Sequence, residues 1–126
     1  MKRFWIGVTV LAALLLSGST VAYFMGHCHS PISKDLSQAA RVATEGQLEQ
    51  AIQLTNKAHS KWLRCRDFTA AFADHDVLEE IDALFAEIHV YAAARDDISF
   101  SAACAHLSEL AKAVAESHYP KWQNLL

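Results

Sequence analysis

The feature that most constrains this chain is an uncharged run that covers residues 4–26. As a helix this run reaches about 34 Å at about 1.5 Å per residue, and the hydrocarbon core of a bilayer is about 30 Å thick. Lys2 and Arg3 precede the run, and basic residues beside a span favour the cytoplasmic side. The run predicts a single-pass helix in the cell membrane, with the N-terminus cytoplasmic and the body extracytoplasmic.

A cleaved signal peptide is the alternative interpretation of the same run. Residues 4–16 have the length of the apolar part of a signal, and the small residues 17–19 resemble a cleavage site. Residues 21–25 continue the apolar run, which favours a retained anchor. Both interpretations export the body, and whether the leader is cleaved stays open.

The remainder of the chain has the composition of a helical protein. Only 4 glycines and 2 prolines occur in 126 residues, so few positions favour turns. Apolar residues recur at steps of three and four, which predicts helices at about residues 33–44, 47–72, 77–94 and 100–118. We expect Ser30-Pro31 to break the first helix and Gly46 to cap the next one.

These patterns predict an all-α fold with two parts. Residues 1–29 form the N-terminal anchor and junction, and residues 30–126 form a small antiparallel bundle of three to four helices, arranged as paired helical hairpins. The formal net charge is −3, and the basic residues form no cluster beyond Arg64 to Arg66. A nucleic-acid partner is therefore not expected, since phosphate binding needs a clustered basic surface.

The stretch "FADHDVLEEIDALFAEIH", residues 72–89, contains two histidines and six carboxylates. Asp76 and Glu79 have the spacing of a capping box, which accounts for acidic residues at a helix start without any ligand. His75, Glu79 and Asp82 are the alternative metal-binding candidates. They flank the apolar stripe instead of converging from its centre, so we favour the helix-start interpretation.

The junction "HCH" offers a second metal candidate, formed by His27, Cys28 and His29. Three adjacent residues cannot all bind one ion in a regular backbone, and no fourth ligand is evident. Cys65 and Cys104 lie on inward stripes, so they are either buried thiols or a disulfide in the exported body. With three cysteines, at least one remains unpaired or bridges two chains.

Surfaces for a partner are predicted around Tyr91 and in the apolar C-terminal tail, at Trp122, Leu125 and Leu126. His59 and Trp62 lie on an apolar face and are expected in the core. No nucleophile–base pair can be identified, so we expect no enzyme, no catalytic residues and no cofactor.

The stretch "DHDVLEEIDALFAEIHVYAAARDD" and the closing "YPKWQNLL", behind a basic start and one apolar span, resemble a family of small bacterial membrane-anchored proteins. That family is domain of unknown function number 4363. The resemblance covers nearly the whole chain and implies a single-pass anchor with an exported helical bundle. It implies no catalytic residues, and the cysteine and histidine features are not typical of the family.

The sequence thus predicts a membrane-anchored, extracytoplasmic helical module that interacts with another envelope protein or with itself. Residues 4–26 would contact the lipid bilayer. The alternative is a metal- or redox-responsive sensor that uses the juxtamembrane cysteine and histidines.

Overall fold

Four α-helices make up the computed structural model, which describes residues 1–117. They are α1 (Lys2–Thr44), α2 (Leu48–Ala70), α3 (His75–Ala93) and α4 (Asp97–Ser117). No strand occurs within this part of the chain. The predicted all-α bundle is confirmed, and α2, α3 and α4 begin and end within a few residues of the predicted positions.

Helix α1 differs from the prediction, because it does not break at Pro31. It runs for 43 residues through the predicted boundary between residues 29 and 30. Proline lacks an N–H group, so the carbonyl of His27 loses its helical partner. Met25, Ile32 and Leu36 are buried on either side of Pro31, and their packing holds the helix together where propensity alone would end it. The predicted break was wrong for this reason.

The helices pack in an antiparallel ring in which α1 contacts α2 and α4, and α3 also contacts α2 and α4. Each helix contributes an apolar face to one shared core. The largest buried side chains of the core are Trp62, Phe85, Phe100, Met25, Ile32, Leu36, Leu78, Ile81, Ile88 and Leu107. Burial of an aliphatic or aromatic side chain of this size contributes about 1.5–3 kcal/mol, so these residues dominate the stability of the bundle.

Small side chains let α1 and α4 approach closely. Ala39 and Ala111 are buried in the core. Ser33 of α1 and Ser108 of α4 form reciprocal hydrogen bonds between the two helices. Ser33 Oγ donates to the carbonyl oxygen of Ser108 at 3.0 Å, and Ser108 Oγ donates to the carbonyl oxygen of Ser33 at 2.8 Å. Ser101 Oγ donates to the carbonyl oxygen of Ala40 at 2.9 Å. These bonds satisfy partly buried hydroxyls and fix the register of α4 along α1.

Two turns end helices by the same device. Gly46 has a φ of 81°, and the N–H of Gln47 donates to the carbonyl oxygen of Val42 at 3.1 Å, which is a Schellman motif. The predicted cap at Gly46 is confirmed. After α3 the equivalent position is Arg95, with a φ of 56°, and Asp96 N–H donates to the carbonyl oxygen of Tyr91 at 3.1 Å. An arginine in the left-handed backbone conformation carries a steric cost that glycine avoids.

The first 20 residues stand clear of the bundle, packing begins at Val21, and Ala22 is the first buried residue. An 18-residue window of α1 has a mean hydropathy of 1.9 and no buried residue. By length and composition, α1 is the one described helix that could cross a membrane.

Candidate functional site

The three junction residues do not converge on one point. His27 stacks on Tyr23 with ring centroids 5.9 Å apart, and Cys28 forms a disulfide with Cys65. His29 is buried, and its Nε2 lies 2.8 Å from the hydroxyl oxygen of Thr69. That hydroxyl donates its own proton to the carbonyl oxygen of Cys65, so Nε2 of His29 is the donor to Thr69.

Cys28 is therefore covalently committed and is not a thiolate ligand beside two imidazoles. Within residues 1–117, no group of three or more His, Cys, Asp and Glu side chains is placed to hold a metal ion. The geometry instead makes this junction a structural connection between α1 and the end of α2.

The disulfide rules out the Cys65–Cys104 bridge, which was one of the two alternatives for these cysteines, and only Cys104 is a buried free thiol. Cys65 lies on α2 and Cys104 on α4, and these two helices occupy opposite corners of the ring. Cys28 lies on the neighbouring helix, with a Cα–Cα distance of 6.1 Å to Cys65. Cys104 is a free, fully buried thiol, and burial raises its pKa to about 12. A thiol with such a pKa is almost entirely protonated at neutral pH and is a poor nucleophile.

The acidic stretch of α3 divides into two unrelated groups. His75 Nε2 and Glu79 Oε1 form an exposed pair 3.0 Å apart along the first turns of α3. Asp82 points elsewhere, toward α2. The predicted capping box is wrong, because Asp74 occupies the cap position and no side chain there bonds to a free amide. The carboxylate of Asp76 does lie in the first turn, where the helix dipole favours it.

Asp82 organises the polar contact between α2 and α3. Its Oδ1 accepts a bond of 2.7 Å from Nε1 of Trp62, and its Oδ2 accepts from Nε of Arg66 at 3.0 Å. Burial would raise the pKa of Asp82, but the bonds from Trp62 and Arg66 outweigh it and hold this pKa below its ordinary value. The carboxylate is therefore ionised at neutral pH and anchors the fully buried Trp62 ring.

One turn along the same seam, two histidines meet. Nε2 of His89 lies 3.4 Å from Nδ1 of His59, and the His59 ring stacks on Phe85 at 4.6 Å. Burial, followed by the charge of His89, lowers the pKa of His59 against an opposing effect of Asp82. His59 is half-buried, so the prediction that it lies in the core holds only for one face of its ring.

The structure describes one of the two predicted partner surfaces, the one around Tyr91. Tyr91 is half-buried on α3, but its neighbour Val90 is 64% exposed. Ile98, in the first turn of α4, is 84% exposed. Both residues lie within one turn of the α3–α4 connection. The tail candidates Trp122, Leu125 and Leu126 lie outside the described residues.

An open groove of about 580 Å³ runs between α1 and α4. Tyr23, His27 and Pro31 line one side of it, and Lys112 and Glu116 line the other. The turn of α1 that lacks a hydrogen bond at Pro31 thus borders solvent, where water can satisfy the freed carbonyl.

Sequence reasoning missed the Cys28–Cys65 bridge and the bonds of Asp82 to α2. A signal for the first was present, because Met25, Ile32 and Leu36 continue one apolar stripe of α1 past Cys28. That stripe places Cys28 in the bundle instead of in a loop. The pairing of Asp82 with Trp62 depends on the register of two helices, for which the sequence carries no comparable signal.

Comparison with known proteins adds the family. The family model described as Domain of unknown function (DUF4363) matches residues 20–125. No curated protein and no solved structure matches the chain. The match begins within two residues of Ala22, the first buried residue of α1. Because this match covers most of the sequence, the chain belongs to the family of Domain of unknown function (DUF4363).

Proposed function

We propose that this chain is a membrane-anchored, extracytoplasmic helical module that binds another protein of the cell envelope, and that it is not an enzyme. The observation that carries the proposal is the division of α1 into two parts. Its first 20 residues are exposed and largely apolar, whereas its second part is a core helix of the bundle. The proposed anchor thus continues into the bundle as one uninterrupted helix.

The disulfide supports the orientation of this module. Cys28 and Cys65 form a bridge just above the apolar part of α1. Structural disulfides persist in oxidising compartments and are rare in the cytosol. Together with Lys2 and Arg3 at the other end, the bridge favours a cytoplasmic N-terminus and an exported bundle.

The α3–α4 connection is the surface best placed to meet a partner. The bond from Ser101 to Ala40 sets the start of α4 beside the last turns of α1. At helical rise, Ala40 lies about 30 Å beyond Thr20, so this end of the bundle projects away from the bilayer. Val90 and Ile98 expose large aliphatic side chains there, and exposed apolar residues rimmed by polar ones are typical of protein contacts.

Photo-crosslinking in cells tests the proposal. A photoreactive amino acid is placed at Ile98 or Val90 of the full chain, and at Gln53 as the control. Gln53 is exposed on α2. The disulfide places Cys65 of α2 level with Cys28 of α1, and counting along both helices from this point puts Gln53 at about the same distance from the membrane as positions 98 and 90. We expect a discrete adduct from positions 98 and 90 and none from position 53. Mass spectrometry of the adduct identifies the partner, and an adduct with a second copy of the chain would indicate self-association.

Two results would contradict the proposal. Equal labelling from all three positions would indicate random collision, and no adduct from any position would leave this surface without a partner. An Ile98→Ser substitution in the chain that carries the crosslinker at Val90 sharpens the test, because it should weaken the adduct without affecting the buried core.

A further inference from the structure

Three phenylalanine rings form a continuous patch at the end of the bundle from which the N-terminal part of α1 emerges. The ring of Phe24 on α1 lies 6.0 Å from that of Phe68 on α2, and Phe68 lies 5.2 Å from Phe72. Phe24 is 49% exposed and Phe72 is 46% exposed. We call these three residues the aromatic end. Phe72 lies just beyond the end of α2, which the sequence pattern had extended to residue 72.

The free part of α1 is shorter than the hydrocarbon core of a bilayer is thick. From Phe4 to Thr20 it reaches about 25 Å at helical rise, whereas the hydrocarbon core is about 30 Å thick. Residues from Ala22 onward are already packed in the bundle. If α1 spans a bilayer, the end of the bundle must therefore lie at the membrane surface, and Phe72 lies about one turn nearer to the membrane than Phe68.

We propose that the aromatic end, formed by Phe24, Phe68 and Phe72, is a lipid-contact surface seated in the interfacial layer of the bilayer that α1 crosses. This inference rests on the proposed function, since it needs α1 in the membrane. It adds a second membrane contact, made by α2, to the one made by α1. The bundle would then contact the membrane surface directly instead of lying at a distance from it.

Lipid suits this patch as an occupant because the patch is continuous with the exposed apolar surface of α1. Aromatic rings are favoured at the level of the lipid head groups, and Tyr23 is also exposed at this level. The neighbouring carboxylates of Asp74 and Asp76 limit how deeply this end of the bundle can enter the bilayer. Both side chains are exposed, and carboxylates avoid the hydrocarbon. The aromatic end would therefore reach the interface while these two carboxylates stay among the head groups.

The six phenylalanines of the chain provide a test with internal controls. The full chain is produced with fluorinated phenylalanine and placed in phosphatidylcholine nanodiscs, with or without a nitroxide on the lipid head group. Each fluorine signal is assigned by a single Phe→Leu substitution. Phe85 and Phe100 are buried in the bundle, and they lie about 20–30 Å beyond Thr20 by the register of α1, so they report on the distance from the membrane.

We expect the nitroxide to broaden the signals of Phe4, Phe24, Phe68 and Phe72, and to leave those of Phe85 and Phe100 sharp. If Phe4 is broadened while Phe68 and Phe72 stay as sharp as Phe100, the lipid-contact surface is refuted and the anchor stands. If Phe4 also stays sharp, α1 does not cross the bilayer, and the proposed anchor is refuted together with this inference.

Discussion

Removal of the Cys28–Cys65 bridge should strongly destabilise the bundle. The two cysteines are separated by 37 residues. The loss of chain entropy on closing a loop of this length corresponds to about 4 kcal/mol in the free energy of unfolding at 25 °C. A domain of about 100 residues shifts its melting temperature by about 5 °C for each kcal/mol. The double substitution Cys28→Ser and Cys65→Ser should therefore lower the melting temperature by about 15–20 °C.

The assay is thermal unfolding of the full chain in detergent, followed by circular dichroism, with and without a reductant. Reduction should lower the melting temperature of the wild type to about that of the double variant. It should leave the double variant unchanged, which controls for effects of the reductant itself. Cys104→Ala provides a second control, because it retains the bridge and its response to reduction.

The reasoning would be refuted by a wild-type chain that melts at the same temperature in both conditions. Thiol titration of the denatured, unreduced chain is a second test, and a count other than one thiol per chain would also refute the reasoning. One thiol per chain is expected, from Cys104, and the free thiol must be assigned by peptide mapping. A free Cys28 with Cys65 bound to Cys104 would restore the pairing that the sequence pattern suggested.

Further predictions follow from single side chains. Asp82→Ala should lower the free energy of unfolding, measured by urea denaturation, by about 2 kcal/mol, because the buried indole N–H of Trp62 loses a charged acceptor. Glu79 is exposed, so Glu79→Ala should change the free energy of unfolding by less than about 0.5 kcal/mol. The folded state lowers the pKa of Asp82 below the ordinary value of 3.8. The contribution of Asp82 to the free energy of unfolding is therefore present above pH 3.8 and is lost as the pH falls through the folded pKa. Asp82→Asn should accordingly flatten the acid side of the plot of stability against pH. Cys104 should resist alkylation in the native chain at pH 8 and react after denaturation, and reaction at equal rates in both states would contradict its burial. Arg95→Gly should be about 1 kcal/mol more stable than Arg95→Ala, because both lose the exposed ion pair with Glu49 and only glycine tolerates the positive φ at the end of α3. Equal stability of the two variants would contradict this assignment.

Helix positions and their buried faces could be predicted from sequence because they depend on local periodicity. Leu78, Ile81 and Phe85 repeat at steps of three and four, and all three are buried. Gly46 likewise carries a local signal, since a glycine after a helical pattern is favoured in the left-handed conformation. These features need no knowledge of which helices are neighbours.

The errors concern choices that tertiary packing decides. Proline ends most helices, but Pro31 lies between buried turns of α1, and their packing outweighs the lost hydrogen bond. Cys65 and Cys104 both face inward, yet an inward position does not say which helix lies opposite. The ring order of four helices decides that pairing, and the same order brings Asp82 to Trp62.

The most direct test of the central claim is peptide mapping by mass spectrometry of the chain recovered from carbonate-washed membranes of the cells that produce it. The account predicts peptides that run unbroken across residues 17–22 and a disulfide-linked peptide pair that contains Cys28 and Cys65. Such a result would join the apolar part of α1 and the oxidised bundle in one membrane-bound chain. A new N-terminus after residues 17–19, with the body released from the membranes, would contradict the account, as would a reduced Cys28.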